Sequence, residues 1–209
     1  MTNPLDTDPN LRFPLDVTTH PAFEKFDVYG QQTLKLSAAI LNIAIRSGYL
    51  NLSTVRKIAD FGAGDGRSTV PLVQLAEQTN GSVDALELFP RPAQKIIDRG
   101  ILPTERVHIG DGLRFLEGTA SRGEAYDLIS AAMLAPVSFI PTERFLGAAS
   151  RALASEGRLL MRSDVSTMLH VEEVCDQQDV SYHQIRGRIA LSTPALIISS
   201  VDLDPFRES

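Results

Sequence analysis

One cysteine, Cys175, is all that this sequence of 209 residues holds. A lone thiol cannot close an intramolecular disulfide or build a thiolate zinc cluster, so the fold stands without either support. Cys175 itself reads as a small hydrophobe on a helix. Also missing is any apolar run near the roughly 20 residues needed to span a bilayer, so no membrane partner is expected. Positive charge is scarce: 20 Lys and Arg face 26 Asp and Glu, for a formal net charge of -6. That balance argues against a broad phosphate-neutralising surface and disfavours nucleic acid as a partner. Met1 to Pro9 is polar and proline-containing, unlike a secretory signal, and a cytoplasmic location is the expectation.

What is present fits one globular α/β domain, with 43% hydrophobic and 22% charged residues. Residues 1–30 read as an extended N-terminal arm, because Pro4, Pro9, Pro14 and Pro21 each fix φ and lack a donor. Residues 31–209 form the domain proper. It opens with an amphipathic helix at about 31–48, in which Leu34, Ala38, Leu41 and Ile45 recur at three- and four-residue spacing and Gly48 supplies the stop. Strand-like runs then alternate with helix-like ones. The strands are Lys57 to Phe61, Ser82 to Leu88, Arg106 to Ile109, Tyr126 to Ala131 and Arg158 to Arg162. Two more, His183 to Leu191 and Ala195 to Val201, follow a helix at Val165 to Gln178 and are separated only by Ser192, Thr193 and Pro194. Alternation predicts a doubly wound, mainly parallel sheet of seven strands. The last connection is too short for a crossover helix, so the C-terminal strand pair should be antiparallel.

Chemistry is most concentrated at the end of the first strand, in Asp60-Phe61-Gly62-Ala63-Gly64-Asp65-Gly66. Glycines there permit a tight turn and close ligand approach, and Ser68 is a candidate cap for the helix that follows. A phosphate-cradling loop needs Gly-Lys followed by Ser or Thr, which Arg67-Ser68 does not supply. A dinucleotide fingerprint starting at Gly62 needs glycine where Arg67 stands. Acidic-x-Gly-x-Gly-x-Gly remains, and an acid ahead of the turn suits a positively charged ligand. Two further carboxylates stand at the next strand ends, Glu87 at the end of the second and Asp111 following the third. Glu87 can accept both hydroxyls of a ribose, and Asp111 can accept from an adenine amino group.

From Ile58 to Val201 the sequence resembles the class I S-adenosylmethionine-dependent methyltransferases. Asp60 to Gly66 matches that family's first motif, which implies that the backbone of Gly62, Ala63 and Gly64 surrounds the methionine part of S-adenosyl-L-methionine. Glu87 matches the ribose-binding position, Leu88 is placed to pack on adenine, and Asp111-Gly112 matches the adenine contact. Tyr126-Asp127-Leu128-Ile129 resembles the family's fourth-strand motif. Glu156-Gly157-Arg158-Leu159-Leu160 resembles the turn into its fifth strand. The implied activity is methyl transfer to a small molecule or a protein side chain.

Departures from the family limit the acceptor. After the fourth strand stands Ser130-Ala131-Ala132-Met133-Leu134-Ala135-Pro136, without the Asn/Asp-Pro-Pro-aromatic motif of enzymes that methylate bases or glutamine. Arg106 to Gly112 with Tyr126-Asp127 also resembles aminopropyltransferases of the spermidine synthase type, but Ala131 and Ala132 offer no acid to take a proton from an amine. No metal is expected: Asp164 has no companion ligands and reads as the cap of the helix near Val165. His170, on that helix, is the candidate general base for an acceptor hydroxyl. The segment from Phe23 to Tyr29 is a candidate lid whose removal should spare the core. A non-enzymatic module of the same fold, acting through a protein partner, is the alternative.

Overall fold

A computed structural model describes residues 15–132, 141–185 and 195–207. Its sheet contains β1 (Lys57–Phe61), β2 (Ser82–Glu87), β3 (Val107–Ile109), β4 (Tyr126–Ala132), β5 (Leu153–Arg162), β6 (His183–Ile185) and β7 (Ala195–Ser199). The order is β3-β2-β1-β4-β5-β7-β6, parallel from β3 to β5, with β7 antiparallel to both β5 and β6. This is the doubly wound sheet with an antiparallel C-terminal pair that the alternation of runs predicts. The predicted strand His183 to Leu191 is described only to Ile185, and Met133 to Pro136 lie outside the described residues.

Among the described residues six helices cover the two faces: α1 (Val28–Arg46), α2 (Thr69–Thr79), α3 (Pro90–Asp98), α4 (Gly112–Ser121), α5 (Thr142–Ala152) and α6 (Val165–Gln177). Leu34 and Leu41 of α1, Leu75 of α2 and Ile96 of α3 pack with Ile58, Leu128 and Leu160 on one face. Leu116, Leu146 and Val171 of α4, α5 and α6 pack with Phe61, Ile129 and Leu159 on the other. Successive strand residues thus serve opposite layers, which is the period of two that a sheet imposes. Central strands β1 and β4 are buried on both faces, as parallel strands flanked by helices must be.

Three details differ from the sequence expectation. From residue 15 onward the arm is not extended. It forms 3-10 turns at Val17–Thr19 and Phe23–Lys25, and Leu15, Val17, Phe23 and Phe26 are buried in the same cluster as α1. Asn42 of α1 fastens it, accepting from the Leu15 amide at 3.1 Å and donating to its carbonyl at 3.0 Å. Lys25 reaches the Arg99 carbonyl at 2.6 Å, and the Arg99 guanidinium stands 4.0 Å over the Phe26 ring. Apolar burial outweighs Pro21 here, and a deletion that includes residues 15–30 would open the core. Second, α1 begins at Val28 because the Asp27 side chain caps it by accepting from the Gly30 amide. Third, β5 begins at Leu153, directly after α5. Its pairing with β4 slips between Tyr126 and Leu128, so Ala154 to Gly157 bulge out before regular register resumes at Arg158.

Candidate functional site

The carboxyl ends of the parallel strands meet beneath the start of α2 and the body of α1. Asp60, penultimate in β1, points toward the α1 face because Ile58 does. Its residue is fully buried, opposite Ala85 of β2 and Ser130 of β4. Oδ2 accepts from the Thr69 hydroxyl at 2.6 Å and the Ser68 hydroxyl at 2.9 Å. Ser68 therefore spends its proton on Asp60 and makes no side-chain cap on α2. Asp60 Oδ1 has no hydrogen-bond partner among the described residues. Burial pushes the carboxyl pKa up to about 6, against the pull of both hydroxyls and of Arg162.

Beyond Asp60 the chain turns through Gly62 and Gly64, at φ +72° and +56°. No atom lies within 4 Å of where a Cβ would stand at either position, so the backbone presents an open cradle. The amides of Gly62 and Ala63 both donate to the Leu86 carbonyl. Glu87 binds the turn from the other side: Oε2 accepts from the Gly64 amide at 2.8 Å, and Oε1 from the Phe89 amide at 2.9 Å. Arg99 and Arg67 hold Asp65 at 3.0 and 3.1 Å. Arg67 also lies 5.3 Å over the ring of Tyr29, an exposed residue of the first turn of α1. Phe23 and Phe26 of the candidate lid are core residues, whereas Tyr29 lies beside the turn.

Leu88, Phe89 and Ile109 are exposed at the ends of β2 and β3 and form an apolar rim next to Glu87. Asp111 caps α4, accepting from the Leu113 and Arg114 amides. Gly112 sits so close to Phe61 that a Cβ would come within 2.8 Å of its ring. The structure thus gathers Asp60, Gly62, Ala63, Gly64 and Glu87, and places Leu88, Asp111 and Gly112 along the adjoining edge. His170 is not part of this group. It lies half-exposed on α6, which packs on the opposite sheet face from α1, with Nδ1 3.9 Å from Glu173. Asp164 caps α6, held well below the usual carboxylate range by donors from Ser166 and Thr167. Among the described residues no group of three or more His, Cys, Asp or Glu is arranged to hold a metal ion. Cys175 is buried, and burial pushes its thiol up to about 12.

Arg162, the last residue of β5, escaped the sequence reading. It is 4% exposed, and its Nη1 has no hydrogen-bond partner among the described residues. Burial lowers the guanidinium pKa, while Asp60 and Tyr29 pull it back. The available signal was strand alternation, since Leu160 faces α1 and Arg162, two residues on, must follow it.

The strand order β3-β2-β1-β4-β5-β7-β6 is that of a Rossmann-like fold shared with solved methyltransferase structures. A cofactor-bound structure of Rv0187 from MTB is similar at 19% identity over 96% of this chain and 99% of that one, with a TM-score of 0.53. The fibrillarin pre-rRNA processing protein of Methanococcus jannaschii is similar at 18% identity over 76% and 73%, with a TM-score of 0.54. A precorrin-6y C5,15-methyltransferase from Geobacter metallireducens is similar at 17% over 76% and 87%, with a TM-score of 0.52. Identities this low establish the shared fold. No protein-family model matches the chain, and no curated protein matches it.

Proposed function

We propose that this protein binds S-adenosylmethionine over the Gly62–Gly64 turn and transfers its methyl group to an acceptor. The observation that carries the reading is the buried Asp60 carboxylate, with one oxygen unpartnered, set beside an open cradle of positive-φ glycines. The residues present fit the cofactor. Asp60 Oδ1 suits an ammonium, and Glu87 keeps lone pairs on both oxygens for ribose hydroxyls after accepting one amide each. Leu88, joined by Phe89 and Ile109, offers an apolar face for adenine, and Asp111-Gly112 stands at its edge. Bound there, the cofactor supplies a sulfonium-activated methyl group for in-line displacement. The chain's contribution is alignment and exclusion of water, and orientation of this kind is worth about 7–11 kcal/mol of a barrier in favourable cases.

The proposed acceptor is a small molecule or a protein side chain, in keeping with the net charge of -6. The fibrillarin neighbour is described as a pre-rRNA processing protein, so RNA belongs among the fractions to assay. Calorimetry with S-adenosylhomocysteine tests the binding step, and affinity should fall at least about tenfold in Asp60→Ala and Glu87→Ala. Incubation with methyl-labelled cofactor and cell extract then reads whether label enters metabolite, protein or nucleic acid. Absence of binding by the wild-type chain would sink the proposal.

A further inference from the structure

The acidic-glycine turn holds a carboxylate that the cofactor reading leaves unused, Asp65. It stands between Gly64 and Gly66, at φ +56° and +93°. Glycine loses more freedom on ordering than any other residue, so a turn with glycines at 62, 64 and 66 keeps one shape only where its surroundings fix it. From the β2 side the Leu86 carbonyl and Glu87 fix its first half. Asp65 ties the second half to the opposite side. Arg99 Nη1 meets Asp65 Oδ2 at 3.0 Å and donates to the Asp65 carbonyl as well. Arg67 Nε meets Oδ1 at 3.1 Å. Each arginine also lies over a ring of the N-terminal segment, Arg99 4.0 Å from the centre of Phe26 and Arg67 5.3 Å from that of Tyr29. Lys25 adds a bond of 2.6 Å to the Arg99 carbonyl. The Asp65 and Arg99 side chains are mostly buried, so salt screens their pairing little. A carboxylate on one side and an aromatic face on the other hold each guanidinium in place. The chain ring–guanidinium–carboxylate–guanidinium–ring thus runs from Phe26 to Tyr29 by way of the turn.

We infer that Asp65 is a positioning residue that couples the seating of the N-terminal segment to the shape of the glycine turn. Affinity at the turn then depends on Phe26, a buried residue out of reach of a ligand lying there. This consequence for affinity rests on the cofactor reading above, whereas the coupling itself is a property of the free protein. By linkage, the factor that seating adds to ligand affinity is the factor that the ligand adds to seating.

Hydrogen exchange in the free, intact protein tests the coupling. The reporters are the Lys25 and Phe26 amides, bonded within the segment, and the Gly66 amide, bonded to the Ala63 carbonyl. Amides of the central strand β4 report global opening. Asp65→Asn keeps the side chain's shape and removes its charge. It should speed exchange at Lys25 and Phe26 by at least about threefold relative to β4. Phe26→Leu should do the same at Gly66, again by about threefold. Tyr29→Leu is the second variant, since Tyr29 is exposed and its replacement opens no cavity. Exchange at Gly66 should then rise about twofold. Calorimetry with S-adenosylhomocysteine follows. Affinity should fall about tenfold in Asp65→Asn and about threefold in Phe26→Leu. The double variant should lose no more than Asp65→Asn alone, because Phe26 acts through Asp65. A merely structural role for Phe26 would multiply the two losses. If the wild type does not bind the ligand, the cofactor reading fails, and the crossed effects on exchange still uphold the coupling. Exchange that changes only beside the substituted residue, or that rises in step with β4, overturns the inference, as do affinity losses that multiply.

Discussion

Asp60 of β1 and Asp84 of β2 lie on adjacent strands one step apart in register, since Ala59 pairs with Asp84 and Asp60 with Ala85. They are 0 and 5% exposed, so burial hardly distinguishes them. Their partners do. Asp84 accepts from the Tyr126 hydroxyl at 2.9 Å and Arg106 at 3.0 Å, with His108 Nε2 at 3.4 Å. Burial would raise its pKa, yet these three donors outweigh burial and hold it below the ordinary value. Asp60 has two aliphatic hydroxyls, both on Oδ2, and burial prevails. One carboxylate is fully used in holding β2, β3 and β4 together. The other is held at a cost with capacity to spare, as expected of a group whose partner arrives with a ligand.

The largest effect in this comparison should come from Asp84→Ala. It strands the buried Tyr126 hydroxyl and should lower stability by about 3 kcal/mol in urea unfolding. S-adenosylhomocysteine affinity should not change, and a loss of affinity without loss of stability would reverse the roles assigned to the two residues. Next in size is a pH dependence of opposite sign at the two sites. The Asp60 pKa is raised on folding, so the native state holds this proton more tightly than the unfolded chain does. Its contribution is present below the unfolded value near 3.8 and is lost as pH rises through about 6. The stability difference between wild type and Asp60→Asn should therefore fall by about 2–3 kcal/mol between pH 4 and 6. For Asp84, whose pKa is lowered, the contribution is present above the unfolded value and lost as pH falls below it. A flat Asp60→Asn difference between pH 4 and 6 would remove the basis for treating the sites as opposites. The smallest effect belongs to Thr69→Val, which deletes the shorter of the two bonds to Asp60. About 1 kcal/mol of stability should go at neutral pH, and the Asp60 carboxyl resonance should titrate at still higher pH.

Residues whose role follows from local pattern were legible in the sequence. The strand runs, the acidic-glycine turn and the short link before the last strand each constrain the chain within about ten residues, and the mainly parallel sheet with its antiparallel end follows from them. Glu87 and Asp111 could be placed because one ends β2 and the other follows β3 at the start of α4. Arg162 could not, because an arginine at a strand end reads as solvent-facing until α1 is known to lie across it. The packing of the N-terminal segment from residue 15 onward was hidden for a related reason. Pro4, Pro9 and Pro14 lie outside the described residues, and from residue 15 onward Leu15, Val17, Phe23 and Phe26 gain their meaning only from α1 and α3. The bulge at Ala154 to Gly157 was likewise hidden, since slippage against β4 is a property of the pair.

The fastening of that N-terminal segment bears on how the chain acquires its structure. Leu15 bonds Asn42, 27 residues on; the Asp16 carbonyl bonds Gln74, 58 residues on; and Lys25 bonds the Arg99 carbonyl, 74 residues on. On a ribosome this segment emerges before α1, α2 and α3 exist to receive it. The first described part of the chain to be made is thus among the last to find its place, and loop closure over these separations slows the step. Until it docks, Phe23 and Phe26 are exposed on a nascent chain, where a chaperone or an aggregating neighbour meets them first.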